Sequence, residues 1–275
     1  EITWRDWSSD VCSSDLEDTL AQGSFVRALR AEALKSRHGA PVRLAIVLAL
    51  PFPLLAAFVA LSVPQFGLSY SPWNYWYALL MPVSITLIAA TVANADARLG
   101  NHTLLSSGVP LHLAWGAKVA WCLALLLLSN LVVFAVYAVM SLVVPQGAAS
   151  MSAMLAVALA LTVMGSWMIP ATHFLTMRVG MLAGVFVPLA VQLALSLGWS
   201  VVPFWPACPP AATIVLPTAF LPVLPSGEPA SPGMALVESI SQGPDVALAL
   251  IIAAVLTAAL TAAGAVWLDR SEELR

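Results

Sequence analysis

Residues 115–144 read WGAKVAWCLALLLLSNLVVFAVYAVMSLVV, thirty positions with one charge, Lys118. A helix needs roughly 20 apolar residues to cross about 30 Å of hydrocarbon, and this run exceeds that. Lipid offers no partner to an exposed backbone N–H or C=O, so the run must be helical. It is too long for one straight crossing, and its first turns, from Trp115 to Trp121, belong at or below the interface. Five further runs of the same kind lie on either side of it: 44–63, 73–95, 153–177, 180–202 and 245–268. The fold class expected is all-α, a polytopic membrane protein of six transmembrane helices.

Composition agrees. The 275 residues are 60% hydrophobic and 9% charged, against about 25% charged in a soluble domain. A net charge of −3 argues against a nucleic-acid partner. Cys12, Cys122 and Cys208 show neither CxxC nor metal-ligand spacing, and Cys122 reads as a small buried hydrophobe. No disulfide and no metal are expected.

The basic residues set an orientation. Arg27, Arg30, Lys35, Arg37 and Arg43 precede the first run, Arg98 and Lys118 lie between the second and third, Arg178 lies between the fourth and fifth, and Arg270 and Arg275 follow the sixth. The alternate gaps hold only Glu228, Glu238 and Asp245 among charged residues. Both termini are therefore expected to be cytoplasmic. Phe66, Tyr70, Trp73, Tyr75, Trp76 and Tyr77 cluster at the outer end of the first two runs, where amphipathic rings favour the interface.

Residues 1–20 contain no apolar h-region and so do not read as a signal peptide. Trp4–Leu16, WRDWSSDVCSSDL, repeats Ser-Ser-Asp and resembles translated sequencing adapter. Residues 1–16 are read as a non-native or disordered tail. Residues 17–41 are expected to form a cytoplasmic amphipathic helix, 42–270 the six-span membrane domain, and 271–275 a cytoplasmic tail. Within 17–41, Ser24–His38 places Val26, Leu29 and Ala33 at helical spacing, with Arg27, Arg30, Lys35 and Arg37 as a basic face; Gly39 and Pro41 end it. Such a helix lies in the inner interface with its basic side toward anionic lipid. It either enforces topology only or braces the bundle as an elbow.

Two segments outside the lipid stand out. Residues 96–118, DARLGNHTLLSSGVPLHLAWGAK, can form a helix that ends at Gly108 and another opened by Pro110. That makes an elbow below the membrane, or else an ordinary loop carrying His102 and His112. Residues 203–244 hold ten of the twenty prolines. The apolar core of this segment, 211–224, is broken by Pro217 and Pro222 and is not a seventh span. It is expected to cap the outer face, as a lid or a re-entrant apolar surface.

Catalytic chemistry is not evident. There is no GxxxxGK[ST] and no HExxH. Ser166 and His173 share a helical face, but two turns separate them by about 10 Å, too far for a nucleophile–base contact. No Asp, Glu, Lys or Arg falls at mid-span, which disfavours proton- or sodium-coupled transport and ion channels. The candidate intramembrane polar residues are Asn94, Asn130, Gln192 and His173, as functional groups or as glue between helices. Pro51, Pro53, Pro82, Pro170 and Pro188 predict kinks.

The stretch from Asn74 to Lys118 resembles a known family. NYWYALLMPVSITLIAATVANADARLGNHTLLSSGVPLHLAWGAK is similar to the second span and following cytoplasmic elbow of ABC-2-type permeases, most of all the lantibiotic-immunity and bacitracin-export group. The aromatic run Trp73–Tyr77 before Leu-Met-Pro at 80–82, the Asn101–Leu105 segment and the Pro110–Lys118 stretch carry the likeness, which extends over roughly residues 24–270. The chain departs from the family in having few basic residues around 96–103.

The resemblance implies a half-transporter. Two permease subunits, identical or homologous, pair with a cytoplasmic ABC ATPase dimer that binds ATP and Mg; this chain itself carries no cofactor and is not an enzyme. Leu104, Leu105, Val109, Pro110 and Leu111 are implied to sit in the ATPase groove as coupling helices. Arg27, Arg30, Lys35, Arg37 and Lys118 are the inner-interface anchors, with Lys118 holding the elbow at the headgroups. The implied cargo is a hydrophobic or amphipathic peptide or a lipid-like antimicrobial. A membrane scaffold without transport and an intramembrane hydrolase using Ser166 and His173 are the alternatives.

Overall fold

A computed structural model describes residues 25–37, 39–97, 110–231, 233–242 and 244–270, with 96, 97, 241 and 242 by backbone only. Among them the chain is helical and holds no strand beyond one isolated bridge, Val223 with Pro229. In order, the principal helices are α1 Phe25–Ser36, α2 Ala40–Val47, α3 Pro51–Ser62, α4 Ser71–Tyr75, α5 Met81–Ala97, α6 Leu111–Val143, α7 Met151–Gly165, α8 Met168–Arg178, α9 Met181–Leu197, α10 Pro209–Val215, α11 Ala235–Gln242 and α12 Asp245–Arg270.

Among the described residues, five helical stretches are long and apolar enough to cross a membrane: Ala40–Ser62, Ser71–Ala95, Leu111–Val143, Met151–Arg178 and Asp245–Arg270. The sixth apolar helix, Met181–Leu197, has 17 residues. The first, second and fourth of the five are composite, and proline accounts for each join. Pro51 and Pro53 separate α2 from α3, with Pro51 in the first turn, where its missing N–H costs nothing. Ahead of Pro82, whose ring cannot tolerate the carbonyl four residues back, the helix widens into a π turn over Trp76–Leu80. Pro170 removes the donor for the Ser166 carbonyl, which instead takes Ile169 N–H at 3.1 Å in a tightened turn between α7 and α8. Pro188 sits inside α9 without interrupting it.

The second and fourth stretches are central, with 61% and 67% of their apolar windows buried; the last has 11% and faces outward. Helices α5, α8 and α9 pack closely together, α6 packs on α7 and α12, and α1 lies along α6. One end of the bundle gathers the loops 63–70 and 144–150 and the proline-rich segment. There Leu68 N–H donates to Gln146 O at 2.9 Å and Tyr137 Oη to Ser69 O at 3.1 Å. Gly67 is required at that contact, since its φ is +66° and a Cβ would stand 2.7 Å from Gln146 O. The opposite end carries α1 and the contact of His112 Nδ1 with Asp269 Oδ2 at 3.4 Å; we call it the basic end.

Two expectations are corrected at the proline-rich end. The aromatic cluster does not sit as a belt of interface rings. Phe66 and Tyr75 are exposed, but Tyr70, Trp73, Trp76 and Tyr77 are buried. Trp73 and Tyr70 pack on Tyr137 at centroid distances of 4.6 and 5.2 Å, a geometry in which aromatic pairs add to burial. Tyr70 Oη accepts Ala149 N–H at 2.7 Å. Burial pushes the Tyr70 phenol above its ordinary value, and that hydrogen bond opposes the shift. The apolar core of the proline-rich segment is also not an exposed lid. Every residue of α10 is buried, as are Leu216, Pro217 and Thr218. Prolines at its first positions open a short helix that inserts against α7, α9 and α12.

Candidate functional site

The buried stripe of α1 is Ala28, Glu32 and Ser36, spaced four residues apart. Alanine and serine let the helix approach α6 closely, and Glu32 then points inward. Lys118 on α6 meets it, with Nζ 3.0 Å from Glu32 Oε1 and 3% side-chain exposure. Lys35 reaches the same oxygen from the exposed side at 3.1 Å. The expected role of Lys118 as a headgroup anchor is thereby corrected: it is buried inside an ion pair that fastens α1 to the third span. Two unlike charges in low dielectric satisfy each other far better than either could alone. Arg27, Arg30 and Arg37 are exposed, as are Val26 at 70% and Leu34 at 60%. The apolar spacing of Val26, Leu29 and Ala33 therefore does not mark the packed face. The i, i+4 relation of a lone glutamate between two small residues was the available signal.

One turn further along α6, Cys122 Sγ lies 3.9 Å from His173 Nε2. His173 Nδ1 is 2.9 Å from Ile169 O, which assigns its proton there and leaves Nε2 to accept from the thiol. The Trp115 ring meets His173 edge-on at 5.8 Å, and Trp115 Nε1 donates to Thr261 O at 3.0 Å. Glu32, Lys118, Trp115, Cys122 and His173 thus form one polar and aromatic cluster that joins α1, α6, α8 and α12. Sequence inspection named His173 and Lys118 separately; Glu32 and Cys122 as their partners required the fold.

The remaining candidates fall elsewhere. Asn130 ties three spans: its Oδ1 accepts Trp76 Nε1–H at 3.1 Å, and its Nδ2 donates to Thr162 Oγ1 at 3.1 Å. Gln192 donates to Pro210 O at 3.5 Å, and its buried Oε1 has no partner among the described residues. Asn94 Nδ2 approaches Met181 Sδ at 3.6 Å. Ser166 Oγ is committed to Thr257 Oγ1 at 2.6 Å and to Val163 O at 2.7 Å, so Ser166 and His173, each bound to other partners, do not form a nucleophile–base pair. Pro110 is exposed and Leu111 half-buried at the start of α6; Leu104, Leu105 and Val109 lie outside the described residues. No group of three metal-ligating side chains occurs among the described residues.

Asn130→Leu should destabilise the protein by about 2 kcal/mol, because Trp76 Nε1 is left buried without its acceptor. Thermal unfolding in detergent reads this directly; an unchanged midpoint would show that the three-span knot contributes nothing.

Comparison of the chain with protein-family models, with curated proteins and with solved structures finds no match.

Proposed function

We propose that this chain is the membrane-embedded permease subunit of an ATP-driven, ABC-2-type exporter, with six crossings, α9 being the short one. The observation that best supports this reading is the lever at the basic end. Helix α6 has 33 residues and is about 50 Å long, well beyond the ~30 Å hydrocarbon core. Its basic end is stiffened by α1, locked through the buried Glu32–Lys118 pair. A rigid rod that begins at Leu111, directly after the 98–109 segment, suits a part pushed by a separate motor. The sequence carries no phosphate-binding loop of its own, so ATP and Mg belong to a partner ATPase dimer, and a second permease copy completes the pathway. The basic end faces the cytoplasm in this scheme, and the cargo is a hydrophobic or amphipathic peptide or a lipid-like antimicrobial taken from the membrane.

The test is a double substitution, Leu104→Asp with Leu105→Asp. It should abolish export and ATPase co-purification while the protein stays monodisperse with an unchanged unfolding midpoint. Normal export by that variant would refute the coupling assignment. A wild-type chain that purifies from its native host without any ATPase would refute the exporter reading itself.

A further inference from the structure

A pocket of about 260 Å³ opens at the proline-rich end, between the start of the second span, the end of α9 and the turn at 225–226. Its walls include two aromatic side chains, Tyr75 and Trp199, and two buried polar ones, Asn74 and Ser196. Leu79 and Leu197 also line it and are 40% and 65% exposed, so the mouth is apolar and opens on the outside of the bundle.

The pocket offers acceptors and lacks donors. Asn74 Nδ2 is committed, at 2.8 Å to Tyr77 Oη, 3.3 Å to Leu224 O and 3.5 Å to Pro225 O. Two carbonyls at that atom identify it as the amide nitrogen. The other atom, Oδ1, receives no hydrogen bond from the described residues. Tyr75 Cζ and Asn74 Oδ1 stand 3.8 and 3.3 Å from one point, the place of a Cβ on Gly227, so the phenol end and the amide oxygen share a corner. The Ser196 hydroxyl gives its proton to Leu193 O at 3.3 Å and keeps its lone pairs. Ser196 and Ile214 line the pocket; four residues back on each helix, Gln192 touches Pro210, and Gln192 Oε1 is a second buried acceptor without a donor among the described residues. Any occupant that brings a donor makes hydrogen bonds that the chain leaves unmade.

The field at this end selects the sign of the charge. No lysine or arginine occurs in residues 44–97, 119–177 or 179–269, while Glu228, Glu238 and Asp245 all belong to the proline-rich end. Glu228 is exposed two residues after Ser226, which lines the pocket. Carboxylates without a basic counterpart favour a cation near them, and tyrosine and tryptophan rings attract an ammonium held against them. The free amide oxygen adds a further requirement. A quaternary ammonium satisfies the rings but has no N–H for Oδ1; a primary ammonium satisfies both.

We propose that this pocket holds the primary ammonium group of a membrane amphiphile. One N–H is donated to Asn74 Oδ1, the charge lies against Tyr75 and Trp199, and the hydrocarbon part leaves past Leu79 and Leu197. This assignment does not rest on the exporter reading.

The experiment is native mass spectrometry of the full chain in mild detergent, titrated separately with phosphatidylethanolamine, phosphatidylcholine and phosphatidylglycerol of identical acyl chains. The three share a phosphate and differ in the group beyond it: a primary ammonium, a quaternary ammonium and a neutral hydroxyl donor. One phosphatidylethanolamine should bind about tenfold more tightly than either of the others, a difference of about 1.4 kcal/mol. Asn74→Leu should erase the preference. Because that change also removes the bonds to Leu224 and Pro225 carbonyls, a second variant covers a failure to fold. Ser226→Lys, at an exposed position, brings an ammonium of its own to the rim and should abolish the preference, whereas Ser226→Gln should keep it. Free ethanolamine in large excess identifies the source: displacement of the lipid extends the site to small amines, and retention restricts it to amines that carry chains. Equal binding of phosphatidylethanolamine and phosphatidylcholine would overturn the proposal, as would equal binding of phosphatidylethanolamine and phosphatidylglycerol. A preference that survives Asn74→Leu or Ser226→Lys in the folded protein would overturn it as well.

Discussion

Lys118→Met is expected to cost about 3 kcal/mol of stability, read as a large drop in the unfolding midpoint in detergent. Removing the ammonium leaves the Glu32 carboxylate buried beside an apolar side chain, and an uncompensated buried charge is among the most destabilising lesions known. The expectation is placed at the low end of its range because Lys35 still reaches Glu32 Oε1 at 3.1 Å. Adding Glu32→Met to the same chain should recover most of the loss, since replacing both partners of a buried pair by apolar groups of similar size is often neutral or better. Equal destabilisation of the single and double variants would show that the pair is not what holds α1 to α6. The recovered double variant also bears on the proposed exporter role: if that role needs α1 seated by charge rather than by packing, the variant will be stable yet unable to support export.

Gly184→Val should be at least as damaging, by about 3 kcal/mol or more. Helices α8 and α9 are joined only by Val179 and Gly180 and run back against each other with Gly184 at the contact. A Cβ on Gly184 would collide with Thr176 Oγ1 and would stand 2.9 Å from Thr176 N and 3.0 Å from Thr172 O. The hydroxyl can rotate, but the backbone atoms cannot yield without parting the helices. Between membrane helices there is no hydrophobic force to restore the lost contact, so close backbone approach at small residues is the attraction itself. Gly116→Ala is the control: its Cβ would meet only Phe25 Cε2 at an ordinary 3.6 Å, and alanine in a helix is favoured over glycine by up to about 1 kcal/mol. If Gly184→Val unfolds at the same temperature as Gly116→Ala, the α8–α9 contact is not tight.

The prolines illustrate how far local chemistry can be read. A missing N–H acts on its own helix, so Pro51, Pro82 and Pro170 announced the joins that the structure contains at α2–α3, the π turn and α7–α8. Pro188 carries the same chemistry yet lies, buried, inside an uninterrupted α9. Asn130 was recognisable as a polar residue in lipid that must find a partner, though not that Trp76 and Thr162 would both be that partner.

Membrane character and helical class followed from the sequence alone, because hydrocarbon permits one local solution to a long apolar run, in which each backbone group is satisfied within its own segment. Which face of a helix is buried is a relation between segments, and only the tertiary structure decided it. Lys118 looked like a surface anchor until Glu32, 86 positions away, was found against it; the apolar 211–224, read as a lid or a re-entrant apolar surface, has its residues 211–218 buried against α7, α9 and α12.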